Sequence, residues 1–153
     1  MKINLTKRQY WNLIRATYMA DWMANAICEA GMKGDDGIKE IRDYVFSFAK
    51  EMGYEDFAEY SGDMGKYYAT FDLDDDPSIR RLIERYDERA FWDEIVERLG
   101  ERDFFDKYTK EKIQKMNDDE RFAKRMECED KWGKEFEKYG IERLEILKQV
   151  KDS

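Results

Sequence analysis

The chain has 153 residues, of which 42% are apolar and 42% charged, with 28 basic against 36 acidic side chains and a net charge of −8. That charge content far exceeds the ~25% of ordinary domains, while 15% aromatics is too many for a disordered chain. The acidic balance argues against direct DNA or RNA binding, which needs a basic patch facing the phosphates, and the absence of histidine removes the commonest general base, every Ser-His-Asp or Cys-His arrangement and most zinc sites.

A chain of this length fits one domain, so residues 1–153 are expected to form a single one. One proline and scattered glycines suit long helices better than many turns. The first helix is expected over Lys7–Ala30. Thr6 is a good N-cap and Gln9 completes a capping box. Tyr10, Leu13/Ile14, Thr17/Tyr18, Trp22 and Ala26/Ile27 then recur at helical spacing, and Gly31 is placed to end the helix in a left-handed conformation. So broad an apolar circumference marks the spine of the core. Gly31–Gly37 reads as a loop, with Asp35 or Asp36 capping a second helix. That helix places Ile38, Ile41, Val45, Phe48/Ala49 and Met52 on one face and closes at Gly53.

The stretch Glu51–Asp76 is the most polarised of the chain. Its nine acids (Glu51, Glu55, Asp56, Glu59, Asp63, Asp72, Asp74, Asp75 and Asp76) face one base, Lys66, so its net charge equals that of the whole protein. Tyr54, Phe57, Tyr60, Tyr67, Tyr68 and Phe71 are threaded between the acids. Tyr54–Ser61 fits two short helical turns. The β-branched and aromatic content of KYYATFDL predicts a short strand or extended segment near residues 66–73, with no partner strand apparent.

Asp76-Pro77 is the clearest helix start, with aspartate at the N-cap and proline at the first helical position. Ile79, Leu82/Ile83 and Tyr86 form one stripe; the phase slips at Asp87–Arg89, and Phe91/Trp92, Ile95/Val96 and Leu99 form another. Two consecutive helices, or one kinked near Asp87, fit this pattern. A short helix from Thr109 to Met116 follows, and Asn117 caps a long one that contributes Phe122, Met126, Cys128, Trp132, Phe136 and Tyr139 and ends at Gly140. Ile141, Leu144 and Leu147 are expected to pack a final turn. The resulting fold class is all-α, a single compact helical domain of five to seven helices, with Trp11, Trp22, Trp92 and Trp132 largely buried.

The longest charge-free apolar run near the start, Trp22–Cys28, is far short of the ~20 residues that span a bilayer, and MKINLTKRQYW lacks the apolar core of a signal peptide. Cys28 and Cys128 form no CxxC and read as reduced thiols of a cytoplasmic protein. GDMGK lacks the spacing and the hydroxyl residue of a phosphate-binding loop. Asp72-Leu-Asp74-Asp-Asp76 begins like a calcium loop, but Pro77 stands where the turn needs glycine and Ile83 where a bidentate glutamate belongs. Acids at this position equally well complement a helix dipole.

Two carboxylate pairs at helical spacing remain: Glu94-x-x-Glu97 and Glu127-x-x-Asp130. Each puts two acids on one helix face, and two such helices side by side would hold magnesium. The pattern resembles the ExxE…ExxD signature of all-α nucleotide pyrophosphatases of the MazG and dUTPase type, which would imply magnesium-dependent pyrophosphohydrolysis with these four residues as ligands. The 29 residues between the pairs stretch the usual gap. Separately, YDERAFWDEIVERLGERDFFDKY (Tyr86–Tyr108), FEKYGIERL (Phe136–Leu144) and WMANAI (Trp22–Ile27) resemble small acidic proteins of bacteria and their mobile elements whose function is not assigned. This resemblance implies a helical intracellular domain and no catalytic residue. Size and acidity suggest a kinship with phage-encoded inhibitors of bacterial defence.

The function expected from these features is a non-catalytic interaction module without cofactor or metal. Its partner would be another protein with a basic surface, rather than nucleic acid or a membrane. The contact residues would be Tyr54, Glu55, Asp56, Glu59, Tyr60, Asp63, Tyr67, Tyr68, Asp72, Asp74, Asp75 and Asp76. Tyrosines supply contact area at low entropic cost, and aligned carboxylates imitate phosphates.

Overall fold

The computed structural model describes residues 3–26 and 31–145. Among them lie six α-helices and one two-stranded sheet, so the chain is mostly helical as its apolar spacing predicts. Internal packing divides the chain into two units, Met1–Arg85 and Tyr86–Ser153.

In the first unit, α1 (Lys7–Asn25) starts as expected. The Thr6 hydroxyl accepts from Gln9 N, and the Gln9 side chain accepts from Thr6 N at 2.9 Å. Asn25 is the last residue of regular helix, with Ala26 as C-cap. Ile27, Cys28 and Ala30 lie outside the described residues, and Gly31 has φ +78°. Helix α2 (Asp36–Phe46) is capped by Asp35, whose carboxylate accepts from Gly37 N and Ile38 N. The regular helix is shorter than the sequence suggests. Beyond Phe46 the run mixes i→i+3 turns (Phe48 N to Val45 O, Ala49 N to Phe46 O) with an i→i+4 bond (Met52 N to Phe48 O), and Tyr54 N closes it on Ala49 O across Gly53, at φ +73°.

Tyr10 and Ile14 of α1 meet Val45, Phe46 and Ala49 of α2 and the following turn. Ala58, Leu73 and Ile79 complete this core, and Ile14, Phe46, Leu73 and Ile79 are its fully buried large side chains. Ile41 was expected on the buried face of α2 but is solvent-exposed. Its neighbours Arg42 and Asp43 instead make polar contacts to Asp21 of α1 and to the backbone of Tyr67.

Helix α4 runs unbroken from Pro77 to Lys107, where the phase slip in its apolar stripe suggested a break near Asp87. The slip falls where the first unit ends and the second begins. Before it, Ile79 and Ile83 serve the first core; after it, Phe104 is buried in the second with Cys128 and Phe136. Helices α5 (Lys110–Lys115) and α6 (Asp118–Tyr139) complete the second unit. Asn117 caps α6 by accepting from Glu120 N at 2.8 Å, and Gly140 closes it at φ +54°. Phe122, Ile141 and Leu144, expected as packing residues, are exposed; Leu147 lies outside the described residues.

The four tryptophans are half-buried, not largely buried as expected. Amphipathic indoles lie at the margins of apolar clusters because their N–H needs an acceptor. Trp92 donates to Glu88 at 2.6 Å and Trp132 to Asp103 at 2.9 Å, while both rings lean on Phe136. Trp11 stacks on Tyr54 at 5.4 Å and contacts Phe57 at 4.8 Å.

Asp103 is the polar anchor of the second unit. It accepts from Lys131 at 2.7 Å and Arg102 at 2.8 Å as well as from Trp132. The Lys131 and Arg102 hydrogen bonds hold its carboxyl down to about 2. Because the folded-state value lies below the ordinary one, the stabilisation is complete above the ordinary carboxylate range and is lost as pH falls through about 2. Thermal melting between about pH 5 and pH 2 should therefore show an acid limb that Asp103→Asn flattens.

Candidate interaction surface

The acidic stretch folds into a 3-10 turn (Glu55–Phe57), a β-hairpin and the short helix α3 (Phe71–Asp74). Strand β1 (Ala58–Ser61) is the partner that the sequence did not reveal for β2 (Lys66–Ala69). The strands pair antiparallel, Ala58 with Ala69 and Tyr60 with Tyr67, around the loop Gly62–Gly65, where Gly65 reaches φ +63°. The two short helical turns expected for Tyr54–Ser61 reduce to the single 3-10 turn.

A two-stranded sheet is marginal alone and needs a neighbour to cover its edge. Helix α2 supplies it. Asp43 accepts from Tyr67 N, and Arg42 donates to Tyr67 O at 3.3 Å. Arg42 also pairs with Asp21 of α1 at 2.6 Å, with both side chains mostly buried. Tyr67 thus spends its backbone groups on α2 and faces Tyr60 as a non-hydrogen-bonded pair, rings 5.0 Å apart.

The twelve expected contact residues divide by environment. Glu55, Asp56, Glu59, Asp63 and Asp72 are exposed on the turn, hairpin and α3, and Tyr60 is exposed beside them. Phe71 and Met64 are exposed in the same stretch. Tyr54 and Tyr67 are half-buried and pack against the core; Tyr54 also donates to Lys7 O at 3.3 Å. Tyr68 is half-buried, donates to the Met64 sulfur and carries the Arg42 guanidinium 5.8 Å from its ring centre.

The remaining three aspartates have partners within the chain, although Asp74 and Asp75 are themselves exposed. Asp74 lies beside the Tyr18 phenol, which burial, and then the neighbouring Asp74 carboxylate, push up to about 12. Asp75 pairs with Arg80 at 3.3 Å. Asp76 caps α4, accepting from Ser78 N at 2.9 Å, from Ile79 N and from the Ser78 hydroxyl. Asp76→Ala is expected to cost about 1 kcal/mol in urea denaturation, the usual value of a lost cap.

Two depressions open between α2 and the hairpin, and the one on the Tyr44 side has a volume of about 470 Å³. Tyr44, Tyr60 and Tyr67 line it together with Glu40 and Asp43. Glu40 and Tyr44 were absent from the sequence expectation because they lie outside the acidic stretch. The signal that could have found them is their position on α2, Glu40 one turn before Asp43 and Tyr44 directly after it.

The four carboxylates of the pyrophosphatase-like pattern do not converge. Glu94 pairs with Arg98 on its own helix, Glu97 with Arg125 at 2.6 Å, and Glu127 with Lys107 at 3.8 Å; Asp130 is exposed. Among the described residues no three acidic or thiol side chains come close enough to hold a metal ion. The Arg125 guanidinium pairs with Glu97 of α4 and with Glu129 of α6. Among the described residues no helix is long and apolar enough to cross a membrane, and Cys128 is a free, buried thiol. No protein-family model, curated protein or solved structure matches the chain.

Proposed function

We propose that the protein is a non-catalytic interaction module whose acidic hairpin face engages a basic surface on another protein. The observation that carries this reading is the concentration of the chain's entire net charge in Glu51–Asp76, with Glu55, Asp56, Glu59, Asp63 and Asp72 left exposed beside Tyr60 and Phe71. Exposed carboxylates cost nothing to desolvate until a partner arrives, and their summed field accelerates encounter with a cationic surface. Exposed aromatic rings then supply the apolar contact that holds the complex. Where the partner's basic surface normally holds nucleic acid, occupation by this face blocks that binding competitively.

The test is affinity capture from host-cell lysate at low and raised salt. One dominant partner with a basic surface should be retained at low salt and released as screening shortens the reach of the field to a few ångströms. A partner indifferent to salt would remove the electrostatic basis of the reading.

A further inference from the structure

We propose that the cleft on the Tyr44 side, between α2 and the hairpin, receives the guanidinium of an arginine on the partner; this rests on the reading of the hairpin as a docking face. Three arginines inside the molecule show how this chain satisfies that group. Arg42 pairs with Asp21 at 2.6 Å and lies 5.8 Å from the centre of the Tyr68 ring. Arg102 pairs with Asp103 at 2.8 Å and lies 5.4 Å from Trp132. Arg143 pairs with Glu135 at 3.0 Å and lies 4.5 Å from Tyr139. Each guanidinium has a carboxylate and an aromatic face.

The cleft offers the same two components without the base. Tyr60 and Tyr67 both line the space between α2 and the hairpin, with ring centres 5.0 Å apart and planes tilted by 54°. Glu40 is exposed and makes no ion pair among the described residues, and only one Asp43 oxygen is taken, by Tyr67 N. No lysine or arginine lines this cleft, whereas Lys39, Arg42 and Lys66 line the neighbouring depression that shares Glu40 and Asp43 with it. A cavity walled by rings and carboxylates attracts a cation, and the planar, weakly hydrated guanidinium stacks on rings and bonds carboxylates in a fork, which an ammonium does not. Tyr44 and Tyr60 are both more than half exposed, so replacing them leaves the core intact.

The experiment titrates the isotope-labelled full chain with a short blocked Gly/Ser peptide carrying arginines, and with its lysine and citrulline counterparts, following backbone amides. Shifts should centre on Tyr44, Gly65 and Tyr67; arginine should bind more tightly than lysine, and citrulline not at all. Tyr60→Leu and Glu40→Gln should each weaken arginine binding about two- to fivefold. Shifts confined to the exposed acids, lysine binding as tightly as arginine, or unchanged binding by both variants would overturn the inference. If the captured partner depends on Glu55, Asp56, Glu59, Asp63 and Asp72 but not on Glu40 or Tyr60, the cleft is excluded while the docking face stands. Dependence on neither set removes both.

Discussion

Arg42→Ala is expected to destabilise the first unit by about 3–5 kcal/mol, the cost of stripping one partner from a buried ion pair. Arg42 and Asp21 are only 13% and 16% exposed, so the carboxylate left behind has little water to turn to. The loss does not end there, because Arg42 also donates to Tyr67 O on the open edge of β2. Its Nε lies buried without an acceptor, so the pair is an imperfectly satisfied one. Replacing both partners with apolar side chains, Asp21→Leu with Arg42→Met, should therefore recover most of the stability. Urea denaturation of the two single variants and the double variant checks this. If Arg42→Ala costs less than about 1 kcal/mol, the pair behaves as a surface contact and the link between α1, α2 and the hairpin is not what holds them.

The second large effect has an unusual sign. Glycine within a helix is ordinarily less stable than alanine by roughly 0.5–1 kcal/mol, so a helical Gly→Ala change should stabilise. Gly100 is buried within α4, and a Cβ there would lie 2.5 Å from Glu129 Cγ and 3.0 Å from the Glu129 backbone on α6. The side-chain atom can move aside; the backbone cannot do so without parting the helices. Gly100→Ala should therefore destabilise the second unit by about 1–3 kcal/mol, as overpacking does. Gly133 of α6 has nothing within 4 Å of its Cβ position, and Gly133→Ala should stabilise by about 0.5–1 kcal/mol. Opposite signs for the same substitution on two facing helices, read from thermal or urea unfolding, would confirm the close approach.

The helix starts were legible because capping is local. Thr6 with Gln9, Asp35, Asp76 before Pro77 and Asn117 each satisfy donors within three residues, and all four cap as expected. The hairpin was not legible from its strands. AEYS is short and polar, and its pairing depends on Asp43 and Arg42, some 24 residues or more from Tyr67 in sequence. The same two residues turn α2 so that Ile41 faces solvent, which no apolar periodicity within α2 could indicate. The need for glycine at position 100 depends on the approach of Glu129, 29 residues away, and leaves no local signal in α4.

Of the acidic stretch, the sequence located the charge but could not sort it. Asp74, Asp75 and Asp76 were expected to act with Asp72 in docking; each now has an intramolecular role, with Tyr18, with Arg80 or as the cap of α4. Those bonds link residues from other parts of the first unit and leave no trace in local composition. Among the expected contact residues, the exposed carboxylates without an ion pair, a Tyr18 contact or a cap role of their own are those of the turn, the hairpin and Asp72.

The most direct measurement compares partner capture by two variants of equal net charge. One neutralises the exposed docking set, Glu55→Gln, Asp56→Asn, Glu59→Gln, Asp63→Asn and Asp72→Asn. The other neutralises five exposed acids outside it, Glu84→Gln, Asp87→Asn, Glu101→Gln, Asp106→Asn and Asp130→Asn. A docking face predicts that the first variant loses its partner while the second retains it at wild-type level. Equal retention by both, or equal loss by both, would show that the charge of Glu51–Asp76 serves solubility or general attraction and not recognition.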